Sequence, residues 1–573
     1  MSNREQDIIS LVAGILEIPA NKLTLQTGVG DIPEWDSLAQ VAIMTTLEEE
    51  YDLNLDPDLL MEAATIKDLV ALVEGESLGT AEPTYAPITS STKKDIFETI
   101  VEKIFKHAAQ TPAATAIIFP RFSLTYYQLA DNISAACSWL KSQSVRKGSI
   151  VALGASRCPE FIACYFAAHA LGAIVLNLDT ETNADRLTQL FEKTQPTLVI
   201  GLSNGKCRSY TEVDLTIPGE ISIAASPDMV ADLMFTTGTT GEPKGVPLTH
   251  SNLVAAATQI NSFIGNNKND VEVLALPICH SFGMGRLRCV LSAGGTVILT
   301  PGFSNSKYLL NVLKSYKATG FSFVPAAWAY LRQMSGDKLA ECSPYLRYIE
   351  IGSAPMPEQE RRHLMSLFPQ TRICMHYGLT EASRSAFIEF HQHKEHLSSA
   401  GKATPGVQIK IFSPHGEECS ANEEGEICIK GAHVMRRYWE SSNLDGYFGD
   451  FFRTGDWGCL DDDGYLHILS RTKDIINIGG KKVSPEEVES VLLSVQGIAE
   501  CACIPIPDPN GLLGEVIKAV LVSDNSSSIP SETELRKIVS QRLENYKCPA
   551  IYEWRETALP KTESGKLQRH LIS

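Results

Sequence analysis

The sequence predicts a multidomain chain with a small four-helix bundle, a large α/β domain with mostly parallel sheets, and a small α+β domain. Its 573 residues are enough for two to four domains. Helical periodicity and a strong acidic bias mark residues 1–77, and a linker rich in small and polar residues follows at 78–94. Alternating helices and buried strands then fill residues 95–472, which is typical of α/β layers, and residues 473–573 form the last domain.

The composition is that of an ordinary soluble globular protein, with 44% hydrophobic and 21% charged residues. The N-terminal residues are polar and lack the apolar core of a signal peptide. The longest apolar stretch, 161–178, contains His169 and a break at Gly172, so we expect a buried helix, a turn and a buried strand rather than a membrane span. The 14 cysteines show no repeated spacing, which favours a reducing compartment and a cytoplasmic protein.

The net charge of −18 is unevenly distributed along the chain. Residues 1–77 hold three basic and sixteen acidic residues, a net charge of −13, and the rest of the chain carries only −5. Neither part offers a basic surface of the kind that binds nucleic acid.

Helical spacing of apolar residues predicts helices at 7–16, 36–51 and 65–73 in the acidic module. Ser37 stands at the head of the second of these helices, between Asp36 and Leu38. A serine at a helix N-terminus can hold a phosphodiester near the positive end of the helix dipole. The alternative is that Ser37 is an ordinary helix-capping residue.

With Glu34-Trp35-Asp36-Ser37-Leu38 as its signature, the module resembles the acyl- and peptidyl-carrier family over nearly its whole length. The resemblance implies that Ser37 carries a 4′-phosphopantetheine arm. A phosphopantetheinyl transferase would attach the arm, and an acyltransferase or condensing enzyme could act on the loaded carrier. The linker of about 18 residues spans roughly 20–25 Å as a flexible chain, so delivery to a neighbouring active site of the same chain is sterically plausible.

A Thr/Gly-rich loop follows the strand predicted at 232–235 and precedes a helix-prone run at 251–257. It reads Thr236-Thr237-Gly238-Thr239-Thr240-Gly241-Glu242-Pro243-Lys244-Gly245. Glycines free the backbone to point N–H groups at one anion, threonines add hydroxyl donors, and Lys244 adds a positive charge. The loop is therefore predicted to cradle phosphate, although no glycine precedes Lys244 as a Walker loop requires. The alternative is a turn without a ligand.

Other elements of the large module follow from local patterns. We expect buried strands at 150–154, 296–299 and 347–352, and a hairpin at 119–126 followed by a helix at 127–141.

A series of motifs accompanies the loop in a fixed order: Leu124-Thr125-Tyr126, Gly352-Ser353-Ala354-Pro355, Tyr377-Gly378-Leu379-Thr380-Glu381, Gly425-Glu426-Ile427, Arg453-Thr454-Gly455-Asp456, Arg471-Thr472-Lys473-Asp474 and Pro560-Lys561-Thr562-Glu563-Ser564-Gly565-Lys566. Over about 97–570 the chain resembles the adenylate-forming family of acyl-CoA synthetases, nonribosomal adenylation domains and luciferases. The resemblance implies that a carboxylate attacks the α-phosphate of ATP, giving acyl-AMP and pyrophosphate. It also implies Mg²⁺ as the metal and a pantetheine thiol, that of the carrier or of CoA, as acceptor.

The resemblance also assigns roles in ATP binding. Glu381 would ligate Mg²⁺, Thr380 would touch the α-phosphate, Asp456 would accept hydrogen bonds from the ribose hydroxyls, and Arg471 would assist near the ribose. The β- and γ-phosphates would be held by Thr236, Thr237, Gly238, Thr239, Thr240, Gly241 and Lys244. Adenine would lie between Gly352, Ser353, Ala354 and Pro355 on one side and Tyr377 and Gly378 on the other.

By the same resemblance, His280, Phe282, Gly283 and Met284 line the acyl pocket, with His280 as a gate. Amino-acid-activating relatives usually carry an aspartate after the phenylalanine. Gly283 stands there, which favours a carboxylic acid without an α-amino group, such as a fatty or aryl acid. Arg286 and Arg288 offer either a site for a second carboxylate or, as the favoured interpretation, structural or surface pairing.

The C-terminal domain of the family rotates about a hinge, which the resemblance places at Lys473. One position would bring Lys566 to the carboxylate and the α-phosphate; the other would open a thiol tunnel beside Gly479 and Gly480. Arg437 and Ser470 stand where relatives usually carry glycine. Three alternatives remain: a CoA ligase whose carrier serves another partner, an inactive scaffold, and an oxidase of the luciferase type.

Overall fold

The computed structural model describes the chain from residue 3 to residue 572, with gaps. The described residues are 3–16, 18–25, 27, 43, 46–47, 50–51, 65–74, 97–182, 184–202, 207–219, 221–237, 243–439, 446–471, 476–478, 481–508, 515–524, 530–543, 545–561 and 567–572. The chain divides into two compact units. The first contains residues 1–95 and 118–123, and the second contains residues 96–117 and 124–573.

The N-terminal region is helical where the structure describes it. Helix α1 covers Asn3–Ile15 and helix α2 covers Ile66–Glu74, which confirms the helices predicted at 7–16 and 65–73. Their apolar faces meet in one small core that also takes up Ile43 and Leu47. Both of these residues belong to the helix predicted at 36–51, most of which lies outside the described residues.

The second unit alternates helices with strands, as the sequence predicts. Its helices are α3 (Ile100–Gln110), α4 (Tyr126–Ser142), α5 (Pro159–Ala170), α6 (Ala184–Thr194), α7 (His250–Ile264), α8 (Ser281–Ala293), α9 (Ser306–Ser315), α10 (Pro325–Ser335), α11 (Glu358–Leu367), α12 (Pro485–Leu493) and α13 (Glu532–Arg542). Thr99, Thr125 and Thr249 begin α3, α4 and α7 with reciprocal capping boxes, which satisfy backbone N–H groups of the first turns.

Two largely parallel sheets form the large domain. The first has the order β5-β3-β4-β6-β7, with β3 (Ile150–Gly154), β4 (Ile174–Leu178), β5 (Leu198–Ile200), β6 (Val230–Thr237) and β7 (Pro243–Thr249). Strands β3 and β4 are buried along their whole length. Helix α5 and strand β4 confirm the helix, turn and strand predicted for 161–178. Among the described residues, no helix is both long and apolar enough to cross a membrane.

The second sheet has nine strands in the order β14-β13-β12-β11-β10-β8-β9-β1-β2. These are β1 (Thr115–Ile118), β2 (Ser123–Thr125), β8 (Val271–Leu274), β9 (Thr296–Leu299), β10 (Gly320–Phe323), β11 (Tyr348–Ile351), β12 (Arg372–Tyr377), β13 (Ala386–Glu389) and β14 (Lys402–Ala403). The pairs from β9 through β12 are parallel, so β11 and β12 end at the same edge. Ligands of such sheets bind at this edge.

A third, antiparallel sheet completes the large domain. It contains β15 (Gln408–Phe412), β16 (Gly425–Lys430), β17 (Tyr447–Phe448), β18 (Phe451–Leu460) and β19 (Leu466–Arg471), with β16 and β19 both paired to β18. One face of this sheet shares a core with β6 and β7 of the first sheet and with the turn after β12. This core includes Val246, Ala382 and Ile427.

The small C-terminal region is α+β, as predicted. It contains a hairpin of β20 (Ile476–Ile478) and β21 (Lys481–Val483), and a sheet of β22 (Ile498–Pro507), β23 (Glu515–Ser523) and β24 (Ile551–Arg555). Helix α12 packs on β22, and α13 packs on α12 and adds Leu535 and Val539 to the same core. Cys501 and Cys503 lie on one face of β22 inside the core, and all fourteen cysteines of the chain are free thiols.

Candidate functional site

The carboxyl end of β11 carries a strained turn. Gly352 follows the strand directly, and a Cβ atom there would lie 2.0 Å from the His376 ring, so only glycine fits. Ser353 has φ = 72°, a left-handed backbone conformation that residues other than glycine rarely adopt. Strain of this kind clusters at ligand sites, and here it falls in the predicted adenine-binding segment Gly352–Pro355.

The carboxyl end of β12 carries a tight turn with two predicted site residues. The backbone N–H groups of Leu379 and Ala382 each donate to the carbonyl of the other, at 3.0 and 3.3 Å, and Thr380 and Glu381 lie between them. Glu381 is buried although it is an acid. A buried carboxylate needs partners, which a neighbouring segment supplies.

That segment, 434–439, links the turn to the Thr/Gly hairpin. Val434 pairs with Ala382 as an isolated bridge, and the Met435 N–H donates to the Glu381 carbonyl at 2.9 Å. At its other end, the Trp439 N–H donates to the Gly245 carbonyl on β7 at 2.8 Å. The segment therefore fixes the position of Glu381 relative to the hairpin of β6 and β7.

Tyr438, within this segment, joins two predicted site residues. Its hydroxyl donates to Oε1 of Glu381 at 2.9 Å, and Nζ of Lys244 lies 5.2 Å from the centroid of its ring. Burial, and then the Glu381 charge, hold the pKa of Tyr438 well above its usual value, so it is a neutral donor. The sequence interpretation missed Tyr438. Its position next to Arg437, which departs from the usual glycine, and its aromatic ring with a polar hydroxyl could have indicated it.

The hairpin of β6 and β7 positions the ends of the predicted phosphate loop. Thr236 lies opposite Lys244 and Thr237 opposite Pro243 in its register, and Lys244 is exposed. Gly238, Thr239, Thr240 and Gly241 lie outside the described residues, as does the side chain of Thr237.

Asp456 is held by the end of β12 and by its own strand. The Tyr377 hydroxyl donates to Oδ2 of Asp456 at 2.6 Å, and the Asp456 N–H donates to Oγ1 of Thr454 at 3.0 Å. The Thr454 hydroxyl in turn donates to the Ile427 carbonyl at 2.7 Å. Arg471 lies opposite Asp456 in the register of β18 and β19. Gly378, Tyr377 and Asp456 therefore meet at the same sheet edge as Glu381.

The predicted acyl-pocket residues surround the start of α8. His280 is exposed at the N-cap of this helix, while Phe282, Gly283 and Met284 are buried. The Phe282 ring lies edge-on to His376, with centroids 4.8 Å apart. A Cβ atom on Gly283 would lie 2.2 Å from the Pro277 carbonyl oxygen, so this backbone leaves no room for an aspartate at 283.

Arg286 and Arg288 are buried and pair with carboxylates inside the protein. Arg286 is fully buried; its Nε donates to Oε1 of Glu272 at 2.9 Å, and its Nη1 lies 3.1 Å from Oε2 of Glu350. Arg288 donates to Asp232 and to the Tyr165 hydroxyl inside the protein. The favoured interpretation of these arginines as structural is confirmed, with both of them buried rather than at the surface.

The cluster around Arg286 is electrically balanced. Arg384 donates to Oε1 of Glu350 at 2.8 Å, so two guanidinium groups face two buried carboxylates. Burial would raise the pKa of Glu350, but Arg384 and Arg286 hold it well below its usual range. Burial lowers the pKa of His376, which keeps its ring neutral. This neutral cluster forms a rigid base beneath the end of β12.

Besides the four residues of the Thr/Gly loop, five further predicted functional residues lie outside the described residues: Ser37, Lys473, Gly479, Gly480 and Lys566. Around the end of β12, the described residues assemble a cation at Lys244, a carboxylate at Glu381, a carboxylate at Asp456 and a strained turn at Ser353. Such a set can bind a polyphosphate, a hard metal ion and a vicinal diol. The donor chemistry fits Mg²⁺, because a carboxylate with one oxygen oriented by a tyrosine is a hard oxygen ligand.

Comparison with known proteins gives three matches to family models. Residues 104–439 match the AMP-binding enzyme family, and residues 487–566 match the AMP-binding enzyme C-terminal domain. Residues 6–73 match the family described as a phosphopantetheine attachment site.

Individual proteins are similar over most of the chain. A 2-succinylbenzoate–CoA ligase of Bacillus velezensis is 32% identical over 495 residues, which cover 82% of this chain and 97% of that protein. The structure of o-succinylbenzoate CoA synthetase from Bacillus subtilis with its acyl-adenylate intermediate superposes with a TM-score of 0.73 at 30% identity, covering 82% and 97% of the two chains. ATP-bound MatB from Rhodopseudomonas palustris superposes with a TM-score of 0.76 at 25% identity, covering 83% and 98%.

Proposed function

Because the chain belongs to the AMP-binding enzyme family of acyl-AMP-forming ligases, we propose that it loads a carboxylic acid onto its own carrier module. The observation that supports this most directly is the presence of a phosphopantetheine attachment domain at 6–73 in the same chain as the AMP-binding domain at 104–439. A fused carrier raises the local thiol concentration to about the millimolar range, above that of most partners in trans.

The proposed reaction has two steps. In the first, a carboxylate oxygen attacks the α-phosphorus of ATP, and pyrophosphate leaves with the electrons of the broken P–O bond. In the second, a pantetheine thiol attacks the acyl carbon of acyl-AMP, AMP leaves, and the thiol proton is released. The first step builds charge on phosphoryl oxygens, so fixed donors matter more than a protein base.

We assign the described residues to the first step. Lys244 would pair with the β- and γ-phosphates, Glu381 would hold Mg²⁺, and Asp456 would accept hydrogen bonds from the ribose hydroxyls. Bound Mg²⁺ would supply charge neutralisation at the phosphates. Lys566 would contact the carboxylate and the α-phosphate. This assignment is supported by the convergence of Lys244 and Glu381 on Tyr438, and of Asp456 on Tyr377.

The acid is proposed to lack an α-amino group. No carboxylate occupies position 283 to pair with an ammonium group, and the backbone there leaves no space for one. Arg286 and Arg288 are committed to Glu272, Glu350 and Asp232, so neither is placed to select a second carboxylate. A fatty or aryl monocarboxylic acid fits both observations.

Ser37 is proposed as the attachment point, with a phosphopantetheinyl transferase as partner and an acyltransferase or condensing enzyme downstream. A cytoplasmic setting is proposed as well, since all fourteen cysteines are free and a structural disulfide is therefore absent from the chain.

Free CoA is the second candidate acceptor. The specific observation in its favour is that the 2-succinylbenzoate relative is named a CoA ligase and aligns over 97% of its length with only 82% of this chain. If free CoA is the acceptor, the carrier would serve another partner.

One experiment separates the two acceptors. The protein is first treated with a pantetheinyl transferase and CoA, and free CoA is then removed. ATP and a panel of hexanoate, benzoate and 4-hydroxycinnamate are added, and intact mass is read for wild type and Ser37→Ala. Self-loading predicts an added acyl mass on the wild type and none on Ser37→Ala. Formation of acyl-CoA from added CoA, with no acyl mass on the pantetheinylated wild type, would instead establish the CoA ligase.

A further inference from the structure

The loop 562–566, which includes Lys566, is closed at its base by the chain on either side. Lys561 and Leu567 pair as an isolated antiparallel bridge, and the Gln568 N–H donates to the Pro560 carbonyl at 2.9 Å. The described residues on the two sides of 562–566 are therefore joined to each other.

The N-terminal side of the loop is anchored on β22. Oε2 of Glu500 accepts from the Leu559 N–H at 2.8 Å, and Oε1 of Glu500 accepts from Nζ of Lys561 at 2.5 Å. Leu559, Leu567 and Ile572 pack on the outer face of this sheet, away from its main core.

The C-terminal side of the loop is anchored by an ionic clasp, which we define as Arg569 with Glu489 and Glu486 of α12. Nη2 of Arg569 donates to Oε1 and Oε2 of Glu489 at 2.9 and 2.7 Å, and it lies 3.1 Å from Oε1 of Glu486. The side chains of Arg569 and Glu489 are only 15% and 10% exposed. Glu489 also accepts from the Cys503 N–H at 2.6 Å, which ties the clasp to the central sheet.

We infer that the ionic clasp is a positioning device for Lys566, required for acyl-AMP formation and not for thioester formation. Resting on the proposed role of Lys566, the inference concerns residues that touch no reacting atom. Arg569 is the third residue after Lys566, which limits the distance between their Cα atoms to about 10 Å. Fixing Arg569 therefore limits the region that Lys566 can reach.

A clasp of this kind matters because catalysis is sensitive to small displacements. Misplacing a catalytic group by about 1 Å can cost about 10²-fold in rate. Anchors on both sides, of which the Arg569–Glu489 pair is largely buried, reduce that displacement, and a buried ion pair is weak evidence for added stability. Since the family uses the lysine in the first step only, losing the clasp should separate the two steps.

The test measures the two half-reactions separately at pH 8. Burial, opposed by Arg569 and reinforced by Glu486, raises the pKa of Glu489 to about 7, so pH 8 keeps its carboxylate charged. Acyl-AMP formation is followed by ATP–pyrophosphate exchange with whichever of hexanoate, benzoate and 4-hydroxycinnamate the wild type exchanges fastest. Thioester formation is followed with the corresponding synthetic acyl-AMP and free pantetheine.

For Arg569→Met and the isosteric Glu489→Gln, exchange should fall by about 10- to 100-fold, while thioester formation stays within about twofold of wild type. Arg569→Lys should recover part of the exchange, because it restores the charge on a more flexible side chain without the planar guanidinium. Arg555→Met is the control, since it breaks an Arg–Glu pair with Glu553 on β24 that takes no part in the clasp. It should leave both half-reactions near wild type.

Two results would overturn the inference. A parallel fall of both half-reactions would show a structural role only, and unchanged exchange would show no role. Lys566→Ala, measured alongside, separates the proposed role of Lys566 from that of the clasp. If Lys566→Ala keeps full exchange, the proposed role of Lys566 is wrong. If Lys566→Ala loses exchange while Arg569→Met and Glu489→Gln keep it, only the inference about the clasp is wrong.

Discussion

The Tyr438 hydroxyl donates a hydrogen bond to Oε1 of Glu381 at 2.9 Å, across 57 residues of sequence. This bond orients one oxygen of the carboxylate proposed to hold Mg²⁺, and the same ring lies 5.2 Å from Nζ of Lys244. Groups that orient a metal ligand usually matter nearly as much as the ligand itself. The relationship makes Tyr438 a member of the candidate site.

Tyr438→Phe should therefore weaken Mg²⁺ use while leaving the ring beside Lys244. We expect the Mg²⁺ concentration for half-maximal ATP–pyrophosphate exchange to rise by about 10-fold or more. Tyr447→Phe is the control, because the Tyr447 hydroxyl donates to the Met435 carbonyl in the same segment and not to Glu381. An equal shift in both variants would assign the effect to the segment and not to the bond with Glu381.

The pair of Tyr377 and Asp456 predicts nucleotide discrimination. If Asp456 accepts hydrogen bonds from the ribose, Asp456→Ala should raise the KM for ATP by about 10- to 100-fold, as expected for hydrogen bonds to a charged group. Wild type should prefer ATP to 2′-deoxy-ATP, and Asp456→Ala should treat the two nearly alike. Retention of the wild-type preference in Asp456→Ala would place the ribose elsewhere.

The buried charge cluster predicts a large stability difference between two arginine variants. Arg286→Met leaves Glu272 and Glu350 in the core with one guanidinium fewer, so we expect about 3–5 kcal/mol less free energy of unfolding. Arg362→Met breaks an exposed i,i+4 pair with Glu358 and should cost about 0.3–0.5 kcal/mol. Denaturant unfolding measures both. Similar small losses would mean that the cluster relaxes without its arginine.

His433 predicts acid sensitivity. Burial lowers its pKa to about 4 from the ordinary 6.5, so between pH 6.5 and 4 the unfolded chain binds a proton that the folded protein does not. Stability should fall as pH falls through this window, by up to about 3 kcal/mol from this group. His433→Gln should reduce the slope, while Ser385→Ala, which removes the hydrogen-bond partner of the ring, should keep it. An unchanged slope in His433→Gln would contradict the prediction.

Local sequence patterns predict local elements well in this chain. The strands at 150–154 and 296–299 appear at those residues, and the apolar stretch at 161–178 forms a helix, a turn and a strand. Such elements depend on neighbours within a few residues, because hydrophobic period and turn residues decide them.

Contacts between distant segments were harder to predict from the sequence. Arg286 and Arg288 follow the predicted acyl segment, and only the fold shows that Glu272, Glu350 and Asp232 neutralise them. Tyr438 reaches Glu381 because an isolated bridge joins Val434 to Ala382, and no periodicity encodes that pairing. Order and spacing of motifs made Glu381 and Asp456 candidates, whereas the residues that contact them, Tyr438 and Tyr377, became apparent only from the fold.

Loading in cis predicts kinetics that do not depend on protein concentration. An intramolecular thiol has an effective concentration of about the millimolar range, so dilution from about 10 to 0.1 µM should leave the first-order rate of carrier acylation unchanged. The matched test mixes Ser37→Ala, which can form acyl-AMP but has no arm, with pantetheinylated Lys566→Ala, which has an arm but cannot form acyl-AMP. At about 1 µM, this pair should load at least about 10²-fold more slowly than wild type, and its rate should fall in proportion to dilution. Acyl mass on the carrier, read at timed intervals, measures both rates. A mixed pair that loads as fast as wild type would show that the carrier is served in trans, and the linker would then have no kinetic role.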